Sequence, residues 1–120
     1  MKLGVMIEGQ EGLNWERWKA ITRATEDLGF ESLWRSDHFF SLSGPRDRDA
    51  LETFVSLVHV AENTSRIRFG TLVCSMTFRH PSLLARMAAG VDRLPLRPTR
   101  TRPKPLAAAS RRMTWIASRL

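Results

Sequence analysis

Three short β-rich runs, at residues 3–7, 30–36 and 66–74, recur at a spacing of roughly 30 residues, and a segment of helical periodicity follows each. That recurrence leaves very few architectures open. In the first run Leu3, Val5 and Ile7 alternate with other residues, as a buried strand would. Asn14 is placed to cap a helix starting at Trp15, and Trp18, Ile21, Thr25 and Leu28 follow on one face of it. Gly29 stands where a left-handed residue closes such a helix. A second helix is predicted from about residue 50 to 62, with Leu51, Phe54, Val55 and Val58 turned inward. A third opens at His80-Pro81, with proline at the first helical position, and runs to about Leu94. The order βαβαβα at this spacing has the length of right-handed parallel crossovers, which predicts an α/β protein with a parallel sheet. The period is architectural, because no residue pattern repeats between the units.

With 120 residues the chain makes one small domain at most, well short of the roughly 250 residues of a complete eight-stranded α/β barrel. Its formal charge of +7 would suit a partner of polyanions, but the excess is confined to one stretch. Residues 1–94 hold 12 basic and 12 acidic side chains, whereas residues 95–120 hold seven basic ones and no acid. Pro95, Pro98, Pro103 and Pro105 forbid a regular helix or central strand over their part of that stretch. Residues 95–120 therefore read as an irregular, disordered basic tail. The alternative is a short basic helix over 106–119 with Met113 and Ile116 on one side.

Several function classes are disfavoured. The single cysteine, Cys74, permits no internal disulfide, and the three histidines have no metal-ligand spacing. There is no glycine-rich phosphate loop. The apolar run before Glu8 is too short for a signal peptide's core and no stretch could span a bilayer, so a cytoplasmic location is expected. Trp15, Trp18 and Trp34 fall on a helix and a strand, where core packing explains them better than base stacking does. A proline-interrupted basic tail with Trp115 is a poor nucleic-acid platform, so nucleic acid is not the expected partner.

In parallel α/β folds ligands bind at the carboxyl ends of the strands. Here those ends are Glu8-Gly9-Gln10, Ser36-Asp37-His38 and residues 73–79. Asp37-His38 is the most suggestive, since a carboxylate and an imidazole can orient a ring or exchange a proton near neutral pH. The plain alternative is a turn-capping Asp beside a His packed on Phe39 or Phe40. His59 reads as a structural histidine, His80 as a helix-start residue bonding backbone, and Cys74 as a small apolar strand residue without a nucleophilic role.

Residues 28–39 (Leu-Gly-Phe-Glu-Ser-Leu-Trp-Arg-Ser-Asp-His-Phe), 66–81 and 84–94 resemble, collinearly, the luciferase-like monooxygenase family, most of all its deazaflavin-dependent branch. The resemblance implies a partial TIM barrel, about three βα units of a (β/α)8 barrel at residues 1–94, with the tail at 95–120 outside the family domain. It implies an oxidoreductase using reduced FMN or the deazaflavin F420 for hydride transfer or oxygen activation. Asp37 and His38 match the pair that lies against cofactor and substrate, with the His transferring a proton or orienting the substrate. Leu72-Val73 matches the place of a non-proline cis peptide supporting the cofactor ring. Ser75 matches a cofactor-contacting position, and Arg79-His80-Pro81 a structural signature at the third helix start.

The chain departs from the family after Asp92-Arg93-Leu94. There the family continues Ser-Gly-Gly-Arg, and here Pro95-Leu96-Arg97-Pro98 follows. One expectation is that residues 95–120 are out-of-frame translation, which reading the downstream DNA in the other two frames would test. On that reading the chain is inactive, with an open sheet edge prone to self-association. The alternative is a non-catalytic fragment, inert or dependent on a partner that supplies the remaining strands.

Overall fold

The computed structural model describes residues 1–94 and, as a strand, residues 113–117. In chain order the elements are β1 (Gly4–Ile7), α1 (Trp15–Asp27), β2 (Ser32–Arg35), α2 (Thr53–Asn63), β3 (Arg68–Cys74), α3 (Pro81–Asp92) and β4 (Met113–Ala117). The strands form one sheet in the order β1-β2-β3-β4, every pair parallel. Register runs straight across the first three, with Met6 beside Trp34 and Trp34 beside Gly70. Among the described residues no helix is long and apolar enough to cross a membrane.

The helix ends follow local chemistry. Asn14 caps α1 by accepting from the Arg17 N–H at 3.0 Å, and Gly29 takes a left-handed φ of 83° just beyond it. Glu52 caps α2 through the Val55 N–H at 2.8 Å, and His80 caps α3 ahead of Pro81 by accepting from the Ser82 N–H.

The core lies between sheet and helices. Leu33 and Phe69 from the strands meet Trp18 of α1, Leu57 and Val60 of α2, and Leu84 and Ala88 of α3. Trp18 is fully buried and its indole N–H donates to the Ser56 carbonyl at 2.8 Å, fastening α1 to α2.

Four expectations need correction. The tail is not irregular throughout, nor helical over 106–119: residues 113–117 form β4, in parallel register with β3. Thr114, Trp115 and Ile116 suit extended backbone, and the edge of β3 offers a row of unpaired donors and acceptors to such a segment. The rest of the expectations for the tail fall outside the described residues. In α2 the inward residues are Phe54, Leu57, Val60 and Ala61, while Val55 and Val58 are 55% and 39% exposed. They line an apolar groove with Met87, Gly90, Val91 and Leu94 of the α3 segment. This helix is apolar on two sides, so periodicity alone could not set its phase. In α1 Thr22 replaces the exposed Leu28 as an inward residue, and Trp15 is not core but an outer residue edge-on to His59. Finally, Leu3 is 51% exposed and lies outside β1, and Val5 and Ile7 are only half-buried, so the first strand is less covered than its alternation predicts.

Candidate functional site

The carboxyl ends of β1 and β2 are joined by a buried polar lattice. The Ser36 N–H donates to the Ile7 carbonyl at 3.0 Å. Its hydroxyl donates to Gln10 Oε1 at 2.6 Å and accepts from the Gly9 N–H at 2.9 Å. Gln10 Nε2 then donates to Glu8 Oε2 at 2.8 Å. Beneath this lies Arg35, wholly buried, donating to the Ser36 and Leu51 carbonyls and to Ser56 Oγ, with its guanidinium 5.7 Å from the Trp18 ring centroid. Burial lowers Arg35 to about 10, partly offset by Glu52 and Asp37, so it remains a cation at neutral pH. Glycine fits position 9, because a Cβ there would overlap the Arg35 guanidinium and force it to shift.

Asp37 follows directly and is 2% exposed. Arg79 Nη1 donates to Asp37 Oδ2 at 2.6 Å, and the Cys74 thiol donates to the same oxygen at 3.3 Å. Among the described residues Asp37 Oδ1 is buried without any donor. Arg79 Nη2 meanwhile donates to Glu52 Oε1 at 2.6 Å. The Arg79 guanidinium carbon lies 5.4 Å from the Phe39 ring centroid and 5.0 Å from that of Phe54. Burial and the neighbouring Asp37 carboxylate push the Cys74 thiol up to about 11, so it is protonated at neutral pH.

The Leu72–Val73 peptide bond is cis, and the β3–β4 register shifts between Leu72 and Cys74. Val73 is exposed at this bulge and Leu72 half-buried. Ser75 lies just beyond, its hydroxyl sharing a 2.8 Å hydrogen bond with Thr77. His38 is half-buried, and its ring has no hydrogen-bond partner among the described residues. Exposed apolar side chains gather in the same loops: Phe39 and Phe40 after β2, Met76 and Phe78 after β3, with Phe39 and Phe78 stacked at 4.7 Å. The loop after β2 is held to the loop after β1 by Glu11, which accepts from the Ser41 hydroxyl, the Leu42 N–H and Arg48. The Ser41 bond foremost holds Glu11 below the ordinary carboxylate range.

The structure thus gathers Asp37 and Cys74 directly, with His38 and the Leu72–Val73 bulge adjoining them in the chain. Ser75 instead bonds its own loop. His59, accepting at Nδ1 from the Asn63 amide at 3.0 Å, and the capping His80 stand apart in structural roles. Sequence reading placed Gln10 and Arg79 at the strand ends without their partners, and missed Glu52 and Arg35 on this face. A buried Asp requires a cation, and Arg79 at the neighbouring strand end was the signal available.

Residues 1–95 match the family model described as luciferase-like monooxygenase. The chain is 32% identical over 87 residues to 4-hydroxyprotoasukamycin monooxygenase of Streptomyces nodosus subsp. asukaensis, covering 69% of this chain and 21% of that protein. Among solved structures, it superposes on the coenzyme F420 dependent tetrahydromethanopterin reductase of Methanopyrus kandleri with a TM-score of 0.62 at 23% identity, over 76% of this chain and 23% of that one. A riboflavin lyase, solved with modified FMN and riboflavin, gives a TM-score of 0.69 at 14% identity, over 98% of this chain and 29% of that one. A monooxygenase of Streptomyces bottropensis gives 0.57 at 25% identity, over 77% and 29% respectively. The chain therefore spans between 21% and 29% of the lengths of these proteins.

Proposed function

Because this chain belongs to the luciferase-like monooxygenase family, we propose that β1, β2 and β3 are consecutive staves of a (β/α)8 barrel whose carboxyl ends carry part of a reduced-flavin or deazaflavin site. One observation carries the reading. Asp37 lies buried with one oxygen engaged by Arg79 and Cys74 and the other, among the described residues, without a donor, beside the bulge at Leu72–Val73. An unpaired buried carboxylate oxygen is costly, and a ring N–H arriving at the strand ends would satisfy it. The exposed Val73 offers an apolar wall for the flat ring, so the residues present fit FMN or F420. Ser75, still able to turn its hydroxyl, serves as a polar contact to the cofactor.

When bound in reduced form, such a ring supplies hydride or reacts with oxygen. The protein's share is to hold the ring on the bulge, keep Asp37 fixed, and use His38 to move a proton or orient a small-molecule substrate. The half-buried His38 ring, without a hydrogen-bond partner among the described residues, suits that role. Comparable proteins act on molecules as different as riboflavin and tetrahydromethanopterin, so the fold does not name the substrate. Since the relatives are several times longer, turnover is proposed for a complete barrel and not for these 120 residues alone.

The outer edge of β1 has no strand partner among the described residues, which favours a second reading as a partner-dependent assembly module. Concentration-dependent sedimentation tests it, and a strictly monomeric chain would rule it out. For the first reading, the chain is titrated with FMN and separately with F420, following cofactor fluorescence, with His38→Ala as control. Saturable binding lost in the variant supports the site and names the cofactor. Absence of binding to both overturns the proposal that these strand ends hold the ring in this chain.

A further inference from the structure

Arg79 does more than a helix-start residue requires. Its two terminal nitrogens reach two carboxylates on different elements, Asp37 at the end of β2 and Glu52 at the cap of α2, each at 2.6 Å. Its side chain is 8% exposed and that of Asp37 1%. A carboxylate so buried needs a cation partner to offset its lost hydration. Glu52 in turn is held by the Val55 N–H at 2.8 Å. The position of Asp37 is thereby referred to the rigid start of α2, across the long loop that separates them. The rings of Phe39 and Phe54 flank the guanidinium, and the Cys74 thiol reaches the same Asp37 oxygen from β3.

We infer that Arg79 is a positioning residue, which clamps Asp37 to Glu52 so that Oδ2 is taken by protein donors and Oδ1 stays fixed and open to a ligand. The inference rests on the reading of Asp37 and His38 proposed above. The planar fork of arginine is what makes the clamp work. A lysine is a single point charge and cannot hold both carboxylates in one plane.

Cys74 reports on the clamp without any cofactor, since it is the other donor on Asp37 Oδ2 and is fully buried. The full chain and its variants are alkylated with iodoacetamide at one pH, and thermal unfolding is recorded on the same samples. Arg79→Met is expected to raise the Cys74 rate by about tenfold or more through local opening, with Arg79→Lys in between. In an Asp37→Asn background, Arg79→Met should add nothing further, because its effect passes through Asp37. An unchanged rate in Arg79→Met, or additive effects in the double variant, overturns the inference. If Arg79→Met fails to fold, Arg79→Lys decides: a raised rate supports the clamp and a wild-type rate defeats it. A chain that shows the coupled thiol pattern yet binds neither FMN nor F420 supports the clamp and counts against the reading of the site.

Discussion

The two ends of this parallel sheet are built on opposite plans. At the amino end, Glu26 in the last turn of α1 accepts from the N–H groups of Ser65, Arg66 and Ile67 and from the Ser65 hydroxyl, at 2.9 to 3.2 Å. Arg66 returns two bonds, to the Phe30 and Glu26 carbonyls, each at 2.7 Å. The polar groups of that turn are aimed at neighbouring backbone. A carboxylate at a helix C-terminus opposes the helix dipole by about 0.3–1 kcal/mol, but each charge-assisted hydrogen bond contributes about 1.5–3 kcal/mol, so the staple wins. At the carboxyl end, by contrast, among the described residues Asp37 keeps an oxygen without a donor and the His38 ring has no hydrogen-bond partner, and phenylalanines are exposed. One end is closed on itself for stability and the other is left incomplete. That is the division expected where function sits at the carboxyl ends of parallel strands.

The largest expected stability effect tests the closed end. Glu26→Ala removes the acceptor of three backbone N–H groups and should cost about 2–3 kcal/mol, read from the denaturant midpoint. Cofactor affinity of the folded protein should not move; if it falls in step with stability, the two ends are not separable. The same carboxylate predicts a pH dependence. Burial pushes Glu26 up, but the Ser65, Ile67 and Arg66 donors outweigh it and hold it below its ordinary 4.5. A depressed carboxylate contributes stability that is fully present above about 4.5, the unfolded value, and is lost as pH falls through the lower folded value. Glu26→Gln should flatten that acid limb, and an unchanged limb would assign it to other groups.

A smaller effect should come from the layer that couples sheet to site. Gly9→Ala places a methyl group against the Arg35 guanidinium, so the guanidinium must shift within a packed core, at about 1–2 kcal/mol. Because Arg35 bonds the Ser36 carbonyl and the Gly9 N–H bonds the Ser36 hydroxyl, the disturbance should reach Asp37. Stability and cofactor affinity should fall together here, unlike in Glu26→Ala. A loss of stability with unchanged affinity would show that Arg35 supports the core alone.

Local rules made much of the closed architecture legible. The Asn14 cap, the left-handed Gly29 and the His80-Pro81 start each depend on a few adjacent residues, and all are found where the chain predicts them. What escaped reading depends on distant partners. Arg79 and Asp37 are 42 residues apart, so only the parallel register of β2 and β3 brings them together. β4 is a five-residue strand following four prolines; Thr114, Trp115 and Ile116 suit extended backbone, but its partner, the edge of β3, is about 40 residues away in the chain. Val55 and Val58 misled for a related reason, since an apolar helix can satisfy periodicity with either face.

The smallest expected change in stability is also the sharpest test of the contrast between the ends. His38 is half-buried and its ring bonds nothing among the described residues, so His38→Ala removes no hydrogen bond and opens no deep cavity. The expected stability change is within about 0.5 kcal/mol, the range for substitutions outside such features. His38 directly follows Asp37, whose Oδ1 is buried without a donor among the described residues. If a general acid or base is what it supplies, then in a complete barrel its loss should lower turnover by about a hundredfold or more. A variant destabilised by 2 kcal/mol or more, on the scale set by Glu26→Ala, would instead make His38 part of the packing and erase the distinction between the two ends.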